Sequence, residues 1–286
     1  MPELPEVETI RLQLDQKLKG LKITDIDVLK EKSFLGNPKE VLGKKIVGVK
    51  RRAKINIIEL ADGVYLAVHL KMTGQLIYSQ DGGEIKEGKE KNHSPFKVCE
   101  LPNKFTRVII SFSSGARLFF NDLRMFGWIK VLKDLQELGL EKLGPEAIDE
   151  RAFSFEYFKN TLSKSKKPVK LVILDQEKLA GVGNIYASEA LFRAGILPTR
   201  RASSLEEEEI KRLRNSILEV LREAIEHRGT SDSDEAYRQI SGEKGNFQNY
   251  LKVYRRAGQK CPECGGTIKR IALGGRGTFY CPNCQR

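Results

Sequence analysis

No stretch of this sequence approaches the ~18 consecutive apolar residues that a membrane-crossing helix requires. No basic segment followed by an apolar one opens it. These absences argue against a membrane or exported protein and make a cytosolic site the expectation. Cysteine is also scarce: the chain has five, and Cys99 is the only one before residue 261. A disulfide-stapled exported framework is thereby disfavoured. Nor does a basic amphipathic helix with an aromatic face stand out, which leaves a membrane surface as the weaker partner class.

What the sequence does carry is positive charge. Lys and Arg number 50 against 38 Asp and Glu, a formal net charge of +12. That surplus points to a polyanionic partner, nucleic acid first. With 286 residues, 40% of them hydrophobic, the chain can bury a sizeable core. At ~100–200 residues per domain it forms two domains, or one with an appendage.

The most specific spacing is at the end. Cys261-Pro-Glu-Cys264 and Cys281-Pro-Asn-Cys284 are two Cys-x2-Cys knuckles with sixteen residues between them. Four thiolates so spaced suit tetrahedral zinc, and four cysteines leave no open position, so the site is structural. Residues 267–271 and 277–280 read as a hairpin between the knuckles. Its turn presents Arg276 on a metal-stiffened tip, an arrangement that fits phosphate contact. A ribbon that binds protein instead is the alternative. Cys99 reads as a small buried hydrophobe.

Taken in order, residues 5–19 read as a helix stopped by Gly20, with Val7, Ile10, Leu12 and Leu14 as its buried stripe. From residue 21 to about 131 the texture is short and β-branched. Strands are predicted at 23–29, 45–50, 56–60, 64–69, 107–112, 117–120 and 128–131, with residues 81–104 as a long polar loop. That pattern predicts a β-sandwich or flattened barrel. Gly144-Pro145 marks a boundary, and the pattern is helical from about 153 to 227. Over 205–227 the helix is clearly amphipathic, with Ser204 and Glu207 as a capping box and Arg228-Gly229 as its stop. Residues 249–254 read as a short strand. The fold class is α+β, divided into an N-terminal β-sandwich with a leading helix over 1–134, a helical domain over 150–245 and a zinc ribbon over 249–286.

The chemistry centres on Pro2-Glu3-Leu4-Pro5-Glu6. Removal of Met1 leaves Pro2 with a free secondary amine, and an α-amino group titrates near pKa ~8 rather than the ~10.4 of lysine. Such an amine attacks a sugar aldehyde carbon to give an iminium, a fixed positive charge that eases base loss and elimination. Glu3 and Glu6 add carboxylates for acid–base work. The same residues also suit an ordinary helix start, with proline in the first turn and acids near the positive end.

Other features fit a nucleic-acid site. Arg51-Arg52-Ala53-Lys54 lies at a strand start, where a solvated basic edge is the alternative. Met72 precedes a glycine turn, where a core position is the alternative. Arg124 and Phe126, two apart in a turn, project together as a wedge for a base stack. Gly181-Val-Gly183-Asn184 leads into a helix, with Asn184 as N-cap and free amides for a phosphate; a tight turn between packed helices is the alternative. Lys164, Lys166, Lys167 and Lys170 add to that positive face.

Together these stretches resemble the formamidopyrimidine-DNA glycosylases, over nearly the whole length. The matching segments are Met1-Pro-Glu-Leu-Pro-Glu-Val-Glu-Thr9, Arg51-Arg-Ala-Lys54, His69-Leu-Lys-Met72-Thr-Gly74, Asp122-Leu-Arg-Met-Phe-Gly127, Gly181-Val-Gly-Asn-Ile-Tyr-Ala-Ser-Glu189 and the terminal ribbon. The resemblance implies a β-sandwich, a helix-two-turn-helix domain and a ribbon holding one zinc ion, with double-stranded DNA carrying oxidised bases or abasic sites between them. It implies excision of oxidised purines such as 8-oxoguanine and formamidopyrimidines, then nicking by β,δ-elimination, by a monomer. Pro2 is then the Schiff-base nucleophile, Glu3 the proton donor and acceptor, Glu6 its support, and Lys54 a phosphate or proton-transfer group. Met72, Arg124 and Phe126 fill the gap left by a flipped nucleotide. Asn184 and Arg276 grip flanking phosphates, Arg276 also acting in the second elimination. His69, Arg107, Lys166 and Tyr254 complete the DNA-contacting set. The sequence departs from the family pattern at Phe105, where a histidine is usual, which shifts a phosphate contact to Arg107. The 81–103 loop is longer than usual, and 231–235, where the extruded base is gripped, has its own sequence. The alternatives are an endonuclease VIII-like enzyme for oxidised pyrimidines, which usually has glycine where Leu4 stands, and a non-catalytic damaged-DNA-binding protein.

Overall fold

The computed structural model describes residues 1–81, 101–231 and 237–286. It separates into two compact units, Met1–Leu140 with His227–Gln248, and Glu141–Glu226 with Asn249–Arg286.

The N-terminal unit opens with helix α1, Leu4–Leu18. Leu4, Val7, Ile10, Leu14 and Leu18 are buried, at the three- and four-residue spacing of one helix face. Leu12, expected in that stripe, lies off it and is 48% exposed. The strands are β1 (Ile23–Val28), β2 (Phe34–Leu35), β3 (Ile46–Arg52), β4 (Ile55–Leu60), β5 (Tyr65–His69), β6 (Gly74–Ser79), β7 (Thr106–Phe112), β8 (Arg117–Asp122) and β9 (Trp128–Leu132). They form two sheets, ordered β1-β7-β8-β6 and β2-β9-β5-β4-β3. Their inward positions, among them Ile26, Val49, Ile58, Leu66, Val108, Phe120 and Ile129, share one apolar core. The sandwich is as expected. Strands β2 and β6 were not anticipated: β2 has two residues, and β6 is buried on both faces, so alternation never marks it.

Residues 237–248 pack back onto this unit. Tyr237 and Ile240 join the core, and the Ile240 carbonyl accepts from the Tyr78 amide at 2.8 Å.

The C-terminal unit contains α2 (Phe155–Ser163), α3 (Val169–Ile173), α4 (Asn184–Arg193), α5 (Glu207–Glu226) and the hairpin β10–β11 (Lys269–Leu273, Arg276–Tyr280). Helix α5 buries Ile210, Leu213, Ile217, Leu221 and Ala224 along one stripe. Its predicted capping box is not formed. The Ser204 hydroxyl donates instead to the Arg201 carbonyl, and Glu209 takes the Glu206 amide. Residues 251–254 are irregular rather than a strand, because the Lys252, Val253 and Tyr254 amides bond to a side chain instead of a neighbouring strand. Among the described residues no helix is long and apolar enough to cross a membrane.

Candidate active site and nucleic-acid interface

In the N-terminal unit, Pro2 and Glu3 are buried at the start of α1. Glu3 is the N-cap, and its amide donates to Glu6 Oε2 at 2.7 Å. The other Glu6 oxygen accepts from the Thr230 amide at 2.8 Å. Glu6 therefore bridges the start of the chain to the segment after α5. Gly229 makes room for it. Its φ is +78°, and a Cβ there would lie 2.9 Å from Glu6 Cγ and Oε1. Beside them the buried Tyr237 hydroxyl donates to the Arg228 carbonyl at 3.0 Å. Burial, then the Glu6 charge, push this phenol well above its usual range, which keeps it a donor.

Lys54 lies in the two-residue turn between β3 and β4, where Ala53 has φ +50°. The Arg51 guanidinium donates to Glu8 at 2.8 Å and to the Ala53 carbonyl at 2.9 Å, which fixes this hairpin to α1. His69 ends β5. Burial, followed by the charges of Lys71 and Lys54, lowers its pKa to about 3, so its ring is neutral near pH 7. Its Nδ1 accepts from the Lys71 amide at 3.0 Å, which leaves the ring hydrogen on Nε2 as a donor.

Asp122 organises the next two turns. One carboxylate oxygen accepts from the Thr73 hydroxyl and the Arg124 amide, and the other from the Gly127 amide at 2.7 Å. Lys71 and Met125 take φ near +50° in these turns. The result presents Met72, 37% exposed, and Phe126, 48% exposed. The Arg124 guanidinium stacks 4.8 Å from the Phe126 ring centre. Met1, Met72, Met125, Phe126 and Trp128 line one cavity of about 510 Å³.

In the C-terminal unit, Asn184 Nδ2 donates to the Gly277 carbonyl at 3.0 Å, which joins the start of α4 to the residue after Arg276. Its Oδ1 is buried with no hydrogen-bond partner among the described residues. The turn before Arg276 is Gly274-Gly275, with φ +57° and +73°, as a two-residue hairpin requires. The Cys261–Cys284 and Cys264–Cys281 sulfur pairs are 3.8 and 3.5 Å apart, and all four sulfurs lie within 4.8 Å of one another. Zinc–sulfur bonds of ~2.3 Å in a tetrahedron place sulfurs ~3.8 Å apart, so the quartet fits zinc.

Comparison with known proteins agrees along the whole chain. Residues 1–129 match the formamidopyrimidine-DNA glycosylase N-terminal domain, and residues 143–235 match the H2TH domain of the same enzymes. The chain is 42% identical to the formamidopyrimidine-DNA glycosylase of Pelotomaculum thermopropionicum, covering 100% of this chain and 99% of that one. The chain belongs to the formamidopyrimidine-DNA glycosylase family. Solved family structures agree in fold. The MutM (Fpg) protein of Thermus thermophilus superposes with a TM-score of 0.84 at 40% identity, covering 99% of this chain and 98% of that one. A Lactococcus lactis Fpg mutant in complex with Fapy-dG-containing DNA gives 0.85 at 34% identity over 100% of both chains. Residues 258–286 match the zinc finger found in FPG and IleRS, and the four cysteines hold one structural zinc ion.

Within this glycosylase scaffold several expectations change. Arg107, expected at a phosphate, is buried. Its guanidinium donates to the Asp122 carbonyl at 2.8 Å and the Lys104 carbonyl at 3.1 Å, so it supports the wedge turn. Lys170, expected on the positive face, is fully buried, with Nζ 3.0 Å from the Ser188 and Thr278 hydroxyls. Asn184 is the first residue of α4 and Gly183 is its cap. Lys166 and Arg276 are exposed, and Tyr254 is half-buried, its ring 5.2 Å from that of Phe279. Cys99, the loop expected over 81–103 except at its ends, and most of the 231–235 loop lie outside the described residues.

Two supports went unnoticed in the sequence. Asp122 stood within a quoted motif, and an aspartate just before a turn is a recognisable signal. Glu189 had none. It is buried in α4 and accepts from the amides of Lys252, Val253 and Tyr254 at 2.7–3.0 Å. Desolvation raises its pKa, opposed by those amides.

Proposed function

We propose that this chain is a bifunctional DNA glycosylase and abasic-site lyase. It excises oxidised purines, 8-oxoguanine and formamidopyrimidines, from double-stranded DNA, working in the cytoplasm at the nucleoid. The observation that carries the reading is the buried Pro2-Glu3 start, held by the Glu6 carboxylate between two amides. Met1 must first be removed to free the Pro2 nitrogen. That nitrogen attacks C1′ of the flipped nucleotide, the C1′–base bond breaks, and the base leaves with the bonding pair and a proton. Glu3, adjacent in the chain, protonates the ring oxygen O4′, so the C1′–O4′ bond opens and the Pro2 nitrogen is left as the iminium, and Glu3 later takes a proton. The iminium acidifies C2′–H, so loss of that proton expels the 3′-phosphate and a second elimination expels the 5′-phosphate. Glu6 acts as a positioning residue. Lys54, with neutral His69 donating through Nε2, meets backbone phosphate. Met72, Arg124 and Phe126 fill the vacated stack. Asn184, Arg276, Lys166 and Tyr254 serve phosphates, and Arg276 aids the second elimination. The zinc ion keeps the Arg276 hairpin folded.

Borohydride reduction during turnover of an 8-oxoguanine duplex tests this. A covalent adduct mapping to Pro2 is expected, and none with Pro2→Gly. If Glu3→Gln cleaves lesion DNA as fast as the parent, the proton-transfer role is wrong. Faster excision of thymine glycol than of 8-oxoguanine would favour the endonuclease VIII-like reading instead.

A further inference from the structure

The chain has three methionines and one tryptophan. All three methionines, Met1, Met72 and Met125, line the cavity of about 510 Å³ beside the wedge, and so does the tryptophan, Trp128. The sandwich core is built instead of Leu, Ile, Val, Ala and aromatic side chains, which a mild peroxide leaves untouched. Packing alone does not require that concentration, because methionine fills irregular gaps in any core. The sulfurs here are also accessible: Met72 is 37% exposed and Met125 is half-buried. The turns that carry them are fixed, with the Lys71 amide on His69 Nδ1 at 3.0 Å and the Gly127 amide on Asp122 at 2.7 Å. Lys32 and Lys71 stand on the same cavity wall, the Lys32 ammonium 6.0 Å from the Phe126 ring centre. Loss of Met1, which the proposed chemistry requires, removes one side chain from the wall and leaves two thioethers.

We infer that Met72 and Met125 form a reversible oxidation site, which takes an oxygen atom from a hydroperoxide and thereby switches off insertion of the wedge. The inference rests on the proposed repair function, in which Met72 enters the vacated stack. A thioether lone pair attacks the terminal oxygen of the hydroperoxide. The S–O bond forms, the O–O bond breaks, and the departing oxygen takes the proton from the sulfur-bound hydroxyl. Sulfur loses two electrons and the peroxide gains them, which leaves a sulfoxide and an alcohol or water. The ammonium groups of Lys32 and Lys71 offset negative charge on the departing oxygen. The sulfoxide is polar, and burying its oxygen between bases without a donor is unfavourable. At Met125 the same oxygen falls between the wedge residues Arg124 and Phe126 in the chain. A sulfoxide reductase with a dithiol returns the thioether, and water and a disulfide are the products.

The test treats the mature protein with tert-butyl hydroperoxide and titrates it with a duplex carrying a tetrahydrofuran abasic analogue. Peptide mass mapping should find one added oxygen on Met72 and one on Met125, and prebound duplex should slow both additions. Affinity for the analogue duplex should fall roughly tenfold, as for one polar group left unpaired in an apolar setting. Zinc content should stay constant, and the emission of Trp128 should shift at the rate of the mass change. Methionine sulfoxide reductases of both epimer specificities, with dithiothreitol, should restore affinity, and dithiothreitol alone should not. The variant Met72→Leu, Met125→Leu, compared with its own untreated form, should bind the same before and after peroxide. Recovery with dithiothreitol alone, or loss of affinity in step with zinc, would put the oxidation on cysteine and overturn the inference. So would an unmodified pair of methionines, or sulfoxides at both positions with affinity unchanged. Failure of the underlying function reads out separately, as absence of a borohydride adduct between the untreated parent and abasic duplex.

Discussion

In the N-terminal unit, Glu6 accepts from the Glu3 amide and from the Thr230 amide, 224 residues further along the chain, and Asp122 gathers a hydroxyl and two amides. In the C-terminal unit, Arg276 stands on a two-stranded hairpin whose base is a four-cysteine knot, with Asn184 and Lys170 touching it from the helices. The first unit positions its groups with carboxylates that accept backbone hydrogens inside a large apolar core. The second has one such clamp, Glu189 in α4, but its ribbon, over the small apolar cluster of Phe192, Val253, Ile268 and Phe279, relies on a metal ion. A carboxylate clamp is covalently part of the chain and fails only by mutation or protonation. A metal knot fails by extraction. The two units should therefore break under different insults.

The largest effect expected is on the ribbon. Structural zinc contributes ~10–16 kcal/mol in small finger peptides. Chelation, or Cys284→Ser, should therefore unfold residues 258–286 and lower duplex affinity at least a hundredfold. The N-terminal unit should keep its thermal transition, and calorimetry with zinc quantification checks this. Retained affinity would detach the ribbon from DNA binding.

Next comes the clamp. Asp122→Ala removes the acceptor of the Thr73 hydroxyl and the Gly127 amide, while the Arg124 amide keeps its bond to the Thr73 oxygen at 3.0 Å, and Glu6→Ala removes the acceptor that the Glu3 and Thr230 amides share. At ~1–3 kcal/mol per orphaned buried group, each should cost several kcal/mol. Zinc content should not change. The comparison fails if either variant melts like the parent.

A smaller effect concerns pH. Burial and the nearby lysine charges lower the His69 pKa from the ordinary imidazole value of 6.5 to about 3. Between those values the unfolded chain binds the extra proton, so stability is complete above about pH 6.5 and is lost as pH falls toward 3. The slope is at most ~1.4 kcal/mol per pH unit. Denaturant midpoints measured across that window should flatten in His69→Gln.

The smallest effect is at the wedge surface. Met72→Ala should change stability by no more than ~0.5 kcal/mol, as for exposed positions generally. Its weakening of lesion-duplex binding should be clear in a titration, and an equal loss for undamaged duplex would argue against gap filling.

Much of this was legible in the sequence. The Cys-x2-Cys pairs need no tertiary information, because both ligand count and spacing are local. The sandwich follows from short strands between turn signals, and the helical stretch from its periodicity. The failures share a cause. Lys170 looked like surface charge, and Arg107 like the heir to a phosphate contact missing at Phe105, because residue type and position do not reveal burial, and only the fold shows the carbonyls and hydroxyls that satisfy them. Glu189 sits mid-helix with nothing local to mark its bonds to a segment more than sixty residues away. Segment 237–248 follows the helices in sequence yet packs on the sandwich, and no composition shift announces it.

Ala53, Lys71 and Met125 occupy left-handed backbone positions, each next in the chain to a residue proposed to meet DNA. Branching at Cβ makes that conformation far harder to hold, whereas asparagine and glycine enter it readily. A saturation map of the protein should consequently show three narrow columns there, accepting Gly and Asn and rejecting Val and Ile. The preference would follow from chain geometry alone, at sites whose own side chains need never contact a lesion.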